Sequence, residues 1–118
     1  MSKQNIHSIL EIYDLATHSR TVVKEYPYLI EAPNWSVDSG SLIYNSGGLI
    51  YRLDLESLEE HVIPTGYAKR CNNDHVLSAD GSRIAISHQT EEDGLSRIYT
   101  LGLEGGTPRL ITPLGPSY

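Results

Sequence analysis

The stretch richest in functional groups is Arg70-Cys-Asn-Asn-Asp-His75, where five of six adjacent residues carry polar side chains. A guanidinium, two amides, a carboxylate and an imidazole supply both donors and acceptors of hydrogen bonds. Placed together at an opening, they could hold a polar ligand, an ion or a loop of a partner. The alternative is structural: Asn and Asp cap the local backbone, and His75 hydrogen-bonds to a neighbouring part of the fold.

Patterns that signal catalysis are missing from the sequence. Neither Ser46 nor Ser87 has the G-x-S-x-G surroundings of a nucleophile elbow, so no Ser-His-Asp triad and no catalytic residue is predicted. The acidic run Glu91-Glu-Asp93 is interpreted as a solvated loop, with weak binding of a divalent cation as its alternative. We predict neither a cofactor nor a metal site.

Composition narrows the possible partners and the compartment. The formal net charge is -6 and no run of Lys or Arg occurs, so a nucleic-acid partner is not expected. No apolar stretch approaches the roughly 20 residues that span a bilayer, so no membrane anchor is expected either. Polar residues interrupt the first twelve positions, which argues against a secretory signal and favours a cytoplasmic location. The single cysteine, Cys71, allows no disulfide within the chain.

An internal repeat organises the 118 residues. Three runs align, Leu10–Leu15, Ile50–Leu55 and Ile98–Leu103, and each is followed seven residues later by a pair of apolar residues. Between them, Trp35-Ser-Val-Asp38 matches Leu77-Ser-Ala-Asp80 at a step of 42 residues. Apolar residues within the runs recur largely at every second position, which indicates strands and not helices. A period of about 40 to 45 residues with four short strands is typical of one propeller blade.

The repeat resembles the TolB-like, WD40-like β-propeller family, whose hallmarks are Trp-Ser-Pro-Asp-Gly before the second strand and Ile-Tyr-x-x-Asp-Leu in the third. Ile50-Tyr-Arg-Leu-Asp-Leu55 carries the second hallmark, and the segments at Trp35 and Leu77 carry the first. Val37 and Ala79 replace the family's proline, and Ser39 replaces its glycine. We predict an all-β fold of four-stranded antiparallel blades in which Asp38 and Asp80 form hairpin turns.

The strand count predicts about two and a half blades. We place a half blade at about 5–25, whole blades at about 28–64 and 69–113, and the start of a further strand at 115–118. Propellers close with typically four to eight blades, so an incomplete ring exposes blade faces and strand edges. We therefore expect a protein partner or self-association through these edges, in a homo-oligomer or in a fragment of a longer chain.

The resemblance also locates the polar cluster, because the first strand of a blade lines the central channel. Arg70, Asn72, Asn73, Asp74 and His75 are then expected at the channel mouth, with Glu31 and Asn34 of the preceding blade beside them. Trp35 is expected to pack between blades. His75, His88 and Gln89 are similar to the metal ligands of propeller-fold pectate-type lyases, but their spacing is not a recognised ligand pattern.

The sequence favours the first of three functions, and the other two remain as alternatives. The first is a protein-binding or scaffold module, which needs no chemistry beyond the visible surfaces. The second is a structural unit that completes a propeller by oligomerisation. The third is part of a propeller-fold lyase or hydrolase whose axial site would use Arg70, Asp74 and His75.

Overall fold

The structure is a computed structural model that describes residues 6–117. Ten strands and no helix occur in this range, and the chain divides into two compact units whose boundary lies between Ile30 and Glu31. The predicted all-β fold of antiparallel strands is therefore confirmed. A helix long and apolar enough to cross a membrane is absent from residues 6–117. Asn5 and Tyr118, at the outer limits of the predicted blades, lie outside the described residues.

The first unit is a hairpin of two strands. Strand β1 (Ser8–Asp14) pairs antiparallel with β2 (Ser19–Tyr26), with a register shift between Leu10 and Glu11. Leu10 and Tyr26 are its buried apolar residues. The Asp14 carboxylate closes the turn by accepting the backbone N–H groups of Ala16 and Thr17 at 2.8 and 3.1 Å.

The second unit contains two four-stranded sheets, each with its strands in chain order. The first comprises β3 (Glu31–Trp35), β4 (Ser41–Ser46), β5 (Leu49–Asp54) and β6 (Glu60–Ile63). The second comprises β7 (Cys71–Leu77), β8 (Arg83–Gln89), β9 (Ser96–Gly102) and β10 (Gly105–Leu110). The two Ile-Tyr runs form β5 and β9, as the repeat predicts. Each sheet thus has the four-stranded meander of a blade.

The turns between first and second strands use the same hydrogen bonds in both sheets. Asp38 accepts the Ser36 hydroxyl at 2.6 Å and the Gly40 N–H at 2.9 Å. Asp80 likewise accepts the Ser78 hydroxyl at 2.7 Å and the Ser82 N–H at 2.9 Å. These bonds, chiefly from the Ser82 backbone, lower the pKa of Asp80 to about 2. The turn role predicted for the two aspartates is confirmed.

The core lies between the two four-stranded sheets. Ile43, Ile50 and Ile63 come from the first sheet and are at most 4% exposed. They join a buried cluster with Cys71, Ile84, Ile86, Tyr99 and Leu101 of the second sheet, together with Ala68 before β7 and Leu103 in the β9–β10 turn. Because side chains alternate between the faces of a strand, each sheet contributes one face to this contact. Burial of these apolar surfaces is the main force that holds the sheets together.

One glycine of the first sheet is in close contact with residues 64–70, the segment that crosses from the first sheet to the second. The two-residue loop Gly47-Gly48 joins β4 to β5, and both residues have positive φ, 57° and 87°. The Gly48 carbonyl accepts the Cys71 N–H at 2.9 Å, which fixes the start of β7 against the first sheet. A Cβ on Gly48 would stand 2.2 Å from the backbone oxygen of Lys69, whereas one on Gly47 would meet nothing within 4 Å.

We therefore expect Gly48→Ala to destabilise the protein far more than Gly47→Ala. Both substitutions place alanine at positive φ, which costs about 1 kcal/mol. Only Gly48→Ala must also displace the Lys69 backbone, and its total loss should exceed about 2 kcal/mol. Chemical denaturation of the two variants measures the difference. Equal losses in the free energy of unfolding would contradict this account of the crossing.

Candidate functional site

The predicted channel-mouth residues lie where the first strands of the two sheets are adjacent. Asn34 on β3 donates its side-chain N–H to His75 Nδ1 at 3.0 Å and to the His75 carbonyl oxygen at 3.2 Å. His75 Nε2 contacts Asn45 Oδ1 at 3.2 Å, and Asn45 Nδ2 donates to Glu31 Oε1 at 3.4 Å. Four side chains from β3, β4 and β7 thus form one hydrogen-bonded chain between the sheets.

The bonds fix the tautomer of His75. Asn34 offers an N–H, so Nδ1 must accept, and Nε2 must carry the proton that it donates to the Asn45 oxygen. The ring is 8% exposed, and burial lowers its pKa although the nearby Asp74 acts in the opposite direction. Both ring nitrogens are engaged in the neutral form, so the imidazole links the sheets in the way that the structural alternative describes.

Arg70 and Asn72 bond within the second sheet and its preceding loop. The Arg70 guanidinium donates to Gln89 Oε1 at 2.7 Å, and its backbone N–H donates to His88 Nδ1 at 3.1 Å. Asn72 donates to the buried Ser87 hydroxyl at 2.9 Å and accepts the Asp74 N–H at 2.9 Å. These contacts shape the bulged start of β7 between Cys71 and His75.

Besides Arg70 and Glu31, the exposed members of the predicted cluster are Asn73 and Asp74. They lie at the edge of a cleft of about 370 Å³ whose other walls include Val76, Ala85 and Ile98. A rim of amide and carboxylate beside an apolar floor suits a protein surface better than a small polar ligand, because partner side chains can satisfy both parts at once.

The structure corrects one expectation and bears on another. Trp35 is 50% exposed, so the expectation that it packs between blades is wrong for the part of the chain that is described. His75 and His88 each use Nδ1 as an acceptor within the fold. Within residues 6–117, no three His, Cys, Asp or Glu side chains are grouped so that they could hold a metal ion.

Sequence reasoning missed two features. Asn45 completes the His75 network, and its position on β4 next to the hairpin gives no local signal. The second feature is a cavity of about 550 Å³ on the second sheet, where Tyr67, His88 and Tyr99 come together. Tyr67 lies in the crossing between the sheets, so only the fold brings it to the other two rings.

Comparison with known proteins agrees with this architecture, although no protein-family model matches the chain. An uncharacterised protein of Agrobacterium fabrum (strain C58) is 47% identical over 115 residues, which cover 97% of this chain and 39% of the relative. The solved structure of a candidate TolB from Agrobacterium tumefaciens has 49% identity and a TM-score of 0.89. That match covers 95% of this chain and 40% of the solved one.

Two more distant structures share the fold. TolB from Acinetobacter baumannii matches with 24% identity and a TM-score of 0.65, over 80% of this chain and 24% of its own. The tricorn protease matches with 22% identity and a TM-score of 0.58, over 81% of this chain and 10% of its own. The meandering four-stranded sheets and these matches define a β-propeller architecture. Within that class the chain is TolB-like, as its sequence repeat indicates.

The His75 network predicts that stability falls in mild acid. Burial disfavours the imidazolium in the folded state, so the unfolded chain binds the proton more tightly. The contribution of His75 is complete above its ordinary pKa of 6.5 and is lost progressively as the pH falls below that value. The pKa of His88 is also lowered by burial, and it acts in the same direction.

Denaturation of the wild type and His75→Gln at pH 7.5 and pH 5.5 tests this point. We expect the variant to lose about 1–2 kcal/mol at pH 7.5 and to show a smaller decrease between the two pH values. Asn34→Ala serves as a second variant, because it frees Nδ1 for protonation and should also flatten the profile. An unchanged decrease in both variants would show that His75 does not carry the effect.

Proposed function

We propose that this chain is a protein-binding module that docks a blade-type β-sheet of its partner onto the exposed face of its second sheet. The observation that carries the proposal is a register equivalence. Val76, Ala85, Ile98 and Ile111 form this exposed face, called the open face below. They occupy the positions that Asn34, Ile43, Ile50 and Ile63 occupy in the first sheet.

The equivalence follows from the strand pairing. Asn34 is opposite Ile43 in the first sheet, and Val76 is opposite Ala85 in the second. In the same way, Asn45 is opposite Ile50, and Ser87 is opposite Ile98. Because side chains of opposed residues share a face, the open face repeats the surface on which the first sheet binds the second.

The two equivalent surfaces differ in how far they are buried. Ile43 and Ile50 are fully buried, whereas Val76 is 61% and Ile111 is 47% exposed. An apolar sheet face that is exposed to water is stabilised when another layer covers it, because this removes apolar surface from water. The partner that fits best therefore presents a face like that of Ile84, Ile86 and Leu101.

A backbone contact supports the same geometry. Ser117 donates its N–H to the Ser96 carbonyl at 2.7 Å, at the start of β9. The equivalent bond of the first sheet joins Cys71, the first residue of the neighbouring sheet, to Gly48 at 2.9 Å. Ser117 thus bonds to the second sheet at the position where Cys71, the first residue of the second sheet, bonds to the first sheet.

Val76→Glu tests the proposal, because it places a charge on the open face, at its β7 edge, without changing a buried residue. Native mass spectrometry, light scattering and binding of an apolar fluorescent dye are measured on the wild type and the variant. We expect the wild type either to self-associate or to bind the dye as a monomer, and Val76→Glu to reduce whichever occurs by at least about fivefold.

Leu15→Glu is the matched control, since Leu15 is 81% exposed in the β1–β2 turn and is not one of the residues of the open face. It should leave both readouts unchanged. Self-association would identify a second copy of the chain as the partner. Dye binding by a monomer would indicate that the partner is a different protein. A monomer that binds no dye, or a response to Leu15→Glu equal to that of Val76→Glu, would overturn the proposal.

A further inference from the structure

The cavity beside Tyr67 is lined on one side by three aromatic rings. The Tyr67 and Tyr99 ring centres are 6.0 Å apart with planes at 80°, and His88 lies 5.5 Å from Tyr99 and 6.3 Å from Tyr67. Leu110 and Pro113 supply apolar wall, and Glu91 and Glu92 lie at the rim. This aromatic cavity is about 550 Å³ in volume.

The rings are held in place from behind. Tyr67 donates its hydroxyl to the Pro108 carbonyl at 3.2 Å, and Tyr99 is 4% exposed. His88 is 3% exposed, and its Nδ1 accepts the Arg70 N–H, so its Nε2 carries the ring proton. Within residues 6–117, no hydrogen-bond partner of Nε2 is found. The aromatic cavity is therefore lined on this side by the His88 Nε2–H group, which can donate a hydrogen bond.

Charge decides which kind of ligand this cavity suits. Among residues 6–117, Arg97 is the one cation that lines it, and Asp93 neutralises this cation through two contacts of 2.8 and 2.7 Å. Arg97 also donates to Thr90 at 2.7 Å and to the Pro113 carbonyl at 3.1 Å, which leaves it little capacity for an anion. Glu91 and Glu92 remain as exposed carboxylates, so the rim is negative.

We propose that the aromatic cavity is a binding site for an alkylammonium group. Aromatic faces attract such cations through the ring quadrupole, and carboxylates at the rim add a longer-range attraction. The His88 Nε2–H donor fits an oxygen on the same ligand, as in an amino alcohol. The ammonium group belongs either to a free small molecule or to a lysine side chain of a partner protein.

Nuclear magnetic resonance titration of the whole chain with choline tests the site. We expect amide shifts at Tyr67, Glu91 and Tyr99 that saturate with a dissociation constant of about 1–10 mM. The neutral isostere 3,3-dimethylbutan-1-ol should bind at least about fivefold more weakly, because it lacks the charge. The peptide Gly-Lys-Gly provides the second arm, and tighter binding of the peptide than of choline would assign the ammonium group to a protein side chain.

Variants connect the binding to this cavity. Tyr67→Leu keeps apolar volume but removes the ring face, and Glu91→Gln/Glu92→Gln removes the rim charge. Each should weaken choline binding about threefold to tenfold. Glu104→Gln, an exposed carboxylate in the β9–β10 turn, is the control and should have no effect. A further titration uses inorganic phosphate in place of choline. The proposal is overturned if the neutral isostere binds as tightly as choline, if the variants bind like the wild type, or if phosphate causes shifts and choline causes none.

Discussion

Contact between the two four-stranded sheets is the interaction on which the rest of this structure depends. A single blade has two faces, and a small meander cannot bury both by itself. The isoleucines of the first sheet, at positions 43, 50 and 63, remove one face of each sheet from water. Because the two sheets have the same register, this contact also shows which residues of the second sheet form the equivalent exposed face, which is the open face. That repetition connects the core to the proposed docking function.

The polar end of this contact explains how a cluster rich in hydrogen-bonding groups can be structural. A buried imidazole that lacked partners would cost about 1–3 kcal/mol, so it persists only where the neighbouring sheet satisfies it. Asn34 and Asn45 from the first sheet do so for His75. Their hydrogen bonds also fix the position of one sheet relative to the other, since an apolar contact alone would tolerate sliding.

The sequence was sufficient for the strands and turns because these depend on local patterns. Alternation in Ile50–Leu55 and the Asp-Ser-Gly and Asp-Gly turns are readable without knowledge of the fold. Partners across the interface were harder, because Asn45 and His75 are 30 residues apart and only packing brings them together. Trp35 shows the opposite failure: a large aromatic residue at a family position was expected in the interior, and its side of β3 is exposed. Surface exposure of this kind depends on which faces are covered, and no single strand encodes that.

Native-state hydrogen exchange after Ile43→Ala tests the central claim most directly, because this residue belongs to the first sheet alone. If the two sheets are stabilised by their mutual contact, the loss of about 2–4 kcal/mol expected for such a cavity must appear in both. We predict that protected amides of β8 and β9 lose as much protection as those of β4 and β5. Loss of protection in β4 and β5 alone, with β8 and β9 unchanged, would contradict the account.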